Sequence, residues 1–416
     1  MTRPPRVLHV VQPTTSGVGA YVADACADQQ RRGWHVAVAC PDEGDLARRL
    51  AELRIVRFRW AAERVPGPRT LAEARRLHRL VGAFRPDVVH LHSSKAGLAG
   101  RLLPSTARGH RPVVVFQPHG WSWPAAGGGL GWLALWWERA AARRTDLLVC
   151  VGAGEAQVGI AGRVPGLLRI VRNGVDLTRF RPAGAEEKAQ ARARLGIDPD
   201  ARLAVCVGRV TRQKGQDVLL KAWPLVRAGC PRAELAVVGS GDRLARARRQ
   251  AGAGVRFTYE VDDPRPWYAA SDVVVVPSRW EGLPFTALEA MATGRPVVAS
   301  DIPGLSELVA PGAGALVPPG DVGALSEALV ERLSDAGTAE REGLAAAGLA
   351  LGCAADRTFA ELAAVVTEAV QDVRGVSAPI GVPVAAVPPG GDLRRPSGEP
   401  RAHRVPGGRP FAAPRR

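Results

Sequence analysis

Short apolar runs alternate with helical patterns along most of the chain. In the first half the runs fall at residues 7–11, 36–39, 55–58, 88–91, 113–116 and 147–151, with 169–171 as a seventh candidate. In the second half they fall at 203–207, 235–238, 255–257, 273–276 and 297–299. Runs this short, rich in valine and apolar on both alternating faces, predict strands covered on both sides by helices, which means parallel sheets built from βα units. The alternation breaks after Asn173-Gly-Val-Asp176, where an Ala/Glu/Arg-rich stretch over 183–195 predicts a single helix. The pattern therefore divides into two α/β halves, 1–178 and 179–375, the second ending in a helix over 358–373. From Val376 onward nine prolines and seven arginines face two acids, with no helical or strand period. That composition predicts a disordered tail over 376–416.

A length of 416 residues with a 46% hydrophobic share is sufficient for two domains with their own cores. The six cysteines are scattered without Cys-x-x-Cys spacing, so neither a disulfide framework nor a zinc site is indicated. The start, Met1-Thr-Arg-Pro-Pro, leads straight into the first apolar run, and no run is long enough to span a bilayer. A cytoplasmic setting is expected, with the inner face of the membrane as a candidate peripheral site. The net charge of +16 would suit nucleic acid, but only four of the 56 basic residues are lysine. Such a bias reflects codon usage, and no nucleic-acid partner is expected. It also singles out Lys95 and Lys214, which follow predicted strands, because a compact ammonium is not interchangeable with a guanidinium.

The most informative segment runs from Ser278 to Ala299. Glu281 lies on a loop at the carboxyl end of the run 273–276, and Glu289 lies about one turn into a helix predicted to begin near Phe285. In an open α/β sheet that edge faces the ligand crevice, and the N–H groups opening the helix suit a phosphate. One carboxylate can then reach sugar hydroxyls and the other a ribose. The segment Glu281-Gly282-Leu283-Pro, with Glu289-Ala-Met-Ala-x-Gly-x-Pro-Val-Val-Ala after it, resembles the signature of retaining, nucleotide-sugar-dependent glycosyltransferases of the GT-B fold, family 4 or "group 1". The resemblance covers roughly residues 6–370 and is nearest to the subset acting in polyprenyl-diphosphate-linked glycan or exopolysaccharide assembly. It implies two Rossmann-like domains facing across a cleft, the first for the acceptor and the second for the donor. It also implies that the last helix crosses back, that a nucleotide-diphosphate sugar is the co-substrate, and that no metal is needed.

Further motifs match residue by residue. Gly208-Arg209-x4-Lys214-Gly215 puts two cations on the loop after the first strand of the second half and resembles the family's diphosphate-binding pair. Gly17 and Gly19 form a turn between a strand and a helix. As a dinucleotide fingerprint this turn fails, because the third glycine position holds Val22 and no acid closes the second strand, so a dehydrogenase is not expected. It resembles instead the family's loop over the donor phosphate and sugar. His119, in Gln117-Pro-His-Gly120, resembles the histidine that approaches the reaction centre. His92-Ser-Ser-Lys95 is expected to set polar groups at the cleft edge, with Lys95 facing an acceptor diphosphate. Five of the ten tryptophans fall within 121–137, followed by Arg139, Arg143 and Arg144. That block suits a membrane interface as well as burial between helices.

The expected catalytic residues are thus His119, Glu281, Arg209 and Lys214. Gly17, Gly282, Leu283 and Glu289 join Arg209 and Lys214 in holding the donor. A saccharide or lipid-linked acceptor and an anionic membrane surface are the expected partners. The competing readings are a nucleotide-sugar epimerase on the same fold, which uses no acceptor, and a non-catalytic membrane-bound scaffold.

Overall fold

A computed structural model describes residues 3–103, 111–259 and 261–373. The tail expected over 376–416 lies outside the described residues. Two all-parallel sheets organise the chain. The first holds β1 (Arg6–Val11), β2 (His35–Cys40), β3 (Val56–Arg59), β4 (Val88–His92), β5 (Val113–Gln117), β6 (Leu147–Cys150) and β7 (Leu168–Ile170), in the order β3-β2-β1-β4-β5-β6-β7. The second holds β8 (Arg202–Val207), β9 (Ala233–Val238), β10 (Val255–Thr258), β11 (Val273–Val276), β12 (Val297–Ser300) and β13 (Gly314–Val317), in the order β10-β9-β8-β11-β12-β13. The predicted runs match these strands to within a residue or two. The edge strand β13 was missed, because Gly-Ala-Leu-Val amid prolines and glycines carries little strand signal.

Both sheets reverse their winding at one point: between β1 and β4 in the first, and between β8 and β11 in the second. Ligand crevices in open α/β sheets form outside the carboxyl ends of the strands at such switch points. The loops after β1, β4, β8 and β11 are thereby marked before any side chain is considered.

The core follows from the same pattern. Val7 and Val11 of β1, Val38 and Cys40 of β2 and Val113 and Val115 of β5 pack under the helix Ser16–Arg31 through Tyr21, Val22, Ala25 and Cys26. The last helix, Ala355–Val373, completes this layer with Phe359, Leu362, Val366 and Val370, so the chain returns from the second half to cover the first sheet. The all-valine β11 is buried along its length, as its composition demands. The six cysteines carry no disulfide.

The helix Gly128–Ala141 is anchored by one edge. Glu138 and Arg101 form a buried ion pair at 2.7 Å, and Arg101 lies over the Phe116 ring at 3.7 Å. On the opposite face Leu130, Trp132, Leu133 and Trp136 are exposed, Trp132 at 68% and Trp136 at 54%. Among the described residues no helix is long and apolar enough to cross a membrane.

Candidate functional site

The loops after β8 and β11 are braced against each other. Arg279 donates to both carboxylate oxygens of Asp217 at 2.8 and 2.7 Å, and its backbone N–H meets Gln213 O at 2.8 Å. Gln213 Nε2 donates to Trp280 O at 3.0 Å. Gly215 permits the approach: its φ is +68°, and a Cβ there would stand 1.9 Å from Pro277 O. The bracing brings Lys214 Nζ to 2.7 Å from Glu281 Oε1, where Ser278 Oγ also donates at 2.7 Å. Both side chains are largely buried. Arg209 sits on the same loop, and its carbonyl accepts from Gln216 Nε2 at 3.0 Å.

Glu289 lies on the helix Phe285–Ala292 that leaves this loop. Its carboxylate accepts from Tyr268 Oη–H at 2.8 Å. Burial holds its pKa above the usual carboxylate range, opposed by the Tyr268 hydrogen bond and by the Arg179 charge. Sequence reasoning missed Tyr268, whose contribution depends on a contact between elements.

The first half meets this edge at two places. Gly17 and Gly19, expected in a turn, lie in the first turn of the helix Ser16–Arg31, and a Cβ on Gly17 would lie 2.8 Å from Phe285 Cδ2, so this helix start packs against the start of the Glu289 helix. Gly282 lies under the His119–Gly120 loop: a Cβ there would stand 3.3 Å from Gly120 N. Leu283 is buried and its carbonyl accepts from Asn173 Nδ2 at 2.8 Å. The expected site residues therefore gather where the loops at the two sheets' carboxyl edges meet.

His119 has a φ of +53°, a conformation that costs a β-carbon residue energy and needs outside support. Glu155, at the start of the helix Ala153–Ala161, supplies part of it by accepting from the N–H of Gly120 and, at 2.7 Å, from that of Val151. Burial pushes the Glu155 carboxyl up to about 7, against the pull of those two N–H groups and with a further push from the Glu307 charge. Glu307 reaches over from the second half and accepts from Ala153 N at 2.9 Å and Gly154 N at 3.0 Å, capping the same helix. Neither glutamate carried a sequence signal, since each acts on backbone N–H groups supplied by folding.

One expectation is corrected. Lys95 does not face the cleft: it is 4% exposed, with Nζ 2.6 Å from Glu73 Oε2 and 3.1 Å from Thr70 Oγ1. His92 is also fully buried, bonded to His119 at 3.0 Å. Both are turned inward: His92 ends β4, whose faces are covered by helices, and Lys95, in the first turn of the helix Ser93–Leu102, meets Glu73 and Thr70 of the helix Thr70–Phe84. Sequence reasoning also passed over the grouping of His9, His90 and His92, whose ligand atoms lie within 4.8 Å of one another.

Two parallel α/β sheets, each with one switch point, give the architecture of the GT-B class of glycosyltransferases. Residues 15–179 match the model of Glycosyltransferase Family 4, and residues 201–335 that of Glycosyl transferases group 1. The D-inositol 3-phosphate glycosyltransferase 1 of Catenulispora acidiphila is 32% identical over 388 residues, covering 80% of this chain and 90% of that protein. The GDP-mannose-dependent monoacylated alpha-(1-6)-phosphatidylinositol monomannoside mannosyltransferase of Corynebacterium glutamicum is 39% identical over 190 residues, 43% of this chain and 49% of that protein. Among solved structures, the sucrose-phosphate synthase of Thermosynechococcus elongatus superposes with a TM-score of 0.75 at 23% identity, over 90% of this chain and 100% of that one. Anabaena Alr3699/HepE in complex with UDP-glucose superposes with 0.75 at 19%, over 88% and 100%. The chain belongs to the family 4, group 1 glycosyltransferases and is an enzyme that uses a nucleotide sugar.

Proposed function

We propose that this chain is a retaining, metal-independent glycosyltransferase acting on a lipid-linked saccharide at a membrane surface. Arg209 and Lys214 hold the diphosphate of the donor, and Glu289 holds its ribose. The helix start at Gly17 covers the phosphates, and the backbone of Gly282 and Leu283 lines the same pocket. Glu281 and His119 meet the sugar. The observation that carries this reading is the Lys214–Glu281 pair, 2.7 Å apart on braced loops at the second switch point. Negative charge builds on the leaving diphosphate as the glycosidic bond breaks, and fixed cations there stabilise the transition state. An ammonium has three N–H donors, so Lys214 can keep Glu281 while donating to phosphate.

The acceptor class rests on two supports. Relatives include enzymes named for phosphatidylinositol mannoside and for lipopolysaccharide core. The exposed Trp132/Trp136 face, with the exposed Arg139 and Arg143 nearby, suits an anionic lipid interface. Lys95 no longer contributes to that argument.

The test is a panel of nucleotide sugars, led by GDP-mannose and UDP-glucose, screened by thermal stabilisation in EDTA. The donor found is then used in transfer assays, and the anomeric configuration of the product is read by NMR. Stabilisation without metal and a retained anomer are expected. Transfer that stops in EDTA and returns with magnesium or manganese, or an inverted product, overturns the corresponding part.

A further inference from the structure

Four polar side chains at the first sheet, three of them buried and His119 partly so, form a single hydrogen-bond chain. On the sheet face covered by the helix Ser16–Arg31, His9 of β1 and His90 and His92 of β4 replace the apolar residues that fill the rest of it, and His9 and His90 are register partners. All three are 0% exposed. His119 Nε2 lies 3.0 Å from His92 Nδ1, His92 Nε2 lies 2.9 Å from His9 Nδ1, and His9 Nε2 lies 2.9 Å from Gln29 Oε1 on the helix. The chain runs from the cleft loop to the helix that covers the sheet.

Its links are not independent. Both ring nitrogens of His9 and of His92 are engaged, and at each His–His link one nitrogen must accept, which a neutral ring supplies; burial lowers the pKa of these rings and favours that form. A neutral imidazole has one N–H and one lone pair. Gln29 Oε1 can only accept, so His9 carries its proton on Nε2. His9 Nδ1 then accepts from His92 Nε2–H, and His92 Nδ1 accepts from His119 Nε2–H. The chain ends on the lone pair of His119 Nδ1, which has no partner among the described residues. Were Gln29 to present its amide nitrogen instead, every proton would move to the other ring nitrogen, and His119 would end on an N–H.

We propose that Gln29, His9 and His92 are positioning residues that fix the tautomer of His119, so that Nδ1 meets the bound donor as an acceptor for a sugar hydroxyl. The identity of the hydroxyl rests on the glycosyl-transfer reading; the tautomer does not. The cluster is costly as a mere core: Gln29 Nε2 is buried without a partner, and three buried imidazoles stand on a face that is otherwise apolar. Unsatisfied buried polar groups destabilise a fold, and a face filled with valine would avoid the cost. The left-handed backbone of His119 adds strain at the same end of the chain.

The test reads the imidazole nitrogens of the full-length protein by long-range proton–nitrogen NMR, without substrate. Neutral Nε2–H rings are expected for His9, His92 and His119. Gln29→Met, close in shape but lacking the acceptor, should move His119 toward the Nδ1–H form. It should also lower kcat by about ten- to a hundredfold while thermal stabilisation by nucleoside diphosphate is unchanged. His92→Phe should lower kcat in the same way without touching Gln29. An Nδ1–H tautomer of His119 in the wild type overturns the proposal. So does a Gln29→Met protein whose His119 tautomer is unaltered while kcat and melting temperature fall together, which marks a structural role. One equivalent of zinc in the purified protein, lost in His90→Ala, also overturns it, since a metal at these rings would replace the His9–His92 bond. If no nucleotide sugar supports transfer, the functional reading fails while the wild-type spectrum still decides the tautomer.

Discussion

Lys214 Nζ and Glu281 Oε1 lie 2.7 Å apart, joining the loop after β8 to the loop after β11. In the function proposed above, an incoming diphosphate meets this pair. Charge-assisted contacts contribute about 1.5–3 kcal/mol apiece, so Lys214→Ala and Arg209→Ala should each lower kcat/KM on the order of ten- to a hundredfold. Melting temperature should change little. Glu281→Gln should act differently, because it releases Lys214 from its partner: calorimetry should show tighter binding of nucleoside diphosphate, while turnover falls. Weaker binding in Glu281→Gln would mean that Lys214 needs Glu281 to hold its position.

The Tyr268–Glu289 bond at 2.8 Å should matter for donor affinity rather than for the chemical step. Tyr268→Phe removes a partner of the carboxylate proposed to hold the ribose, and a lost buried hydrogen bond costs about 1–3 kcal/mol. The donor KM should rise roughly tenfold, matching that range, with kcat within about a factor of three. Steady-state kinetics check it, and a fall confined to kcat would place Glu289 in the chemistry instead.

Glu155 gives a pH dependence with a definite sign. Its folded pKa, about 7, lies above the ordinary 4.5 of an unfolded glutamate. The stabilisation is therefore fully present below about pH 4.5 and is lost as pH rises through about 7. For this group alone, stability should fall between those values by up to about 1.4 kcal/mol per pH unit. Denaturant midpoints across that range should show this component in the wild type and lack it in Glu155→Gln. An unchanged slope in the variant would assign the titration elsewhere.

Exposed Trp132 and Trp136, with the basic residues beside them, should give salt-sensitive, reversible attachment to anionic vesicles, at about 1 kcal/mol per basic residue near the surface. Co-sedimentation at low salt should recover wild type with the vesicles and leave Trp136→Ala/Trp132→Ala in the supernatant. Loss of binding only on truncation at Val376 would move the anchor to the tail, and no binding at low salt would favour a soluble acceptor.

The alternation of apolar runs and helical stretches determined the two parallel sheets, because a strand covered on both faces must be apolar throughout, and that is visible residue by residue. Local motifs placed Glu281, Arg209, Lys214 and His119 on loops after strands, and Glu289 on the helix that follows one, for a related reason: a loop after a strand is short and its position follows from the strand. Tertiary structure alone decided which of these side chains touch. Lys214 and Glu281 are 67 residues apart and meet through loop packing that Gly215 permits. Lys95 resembled a cleft cation in sequence and was turned inward by Glu73, because the orientation of a side chain at a strand–helix junction depends on what packs above it. Tyr268, Glu155, Glu307 and the His9–His92–His119 chain were illegible for one physical reason. Each acts through a partner distant in sequence, and the energy of a buried hydrogen bond depends on a geometry that only the folded chain supplies.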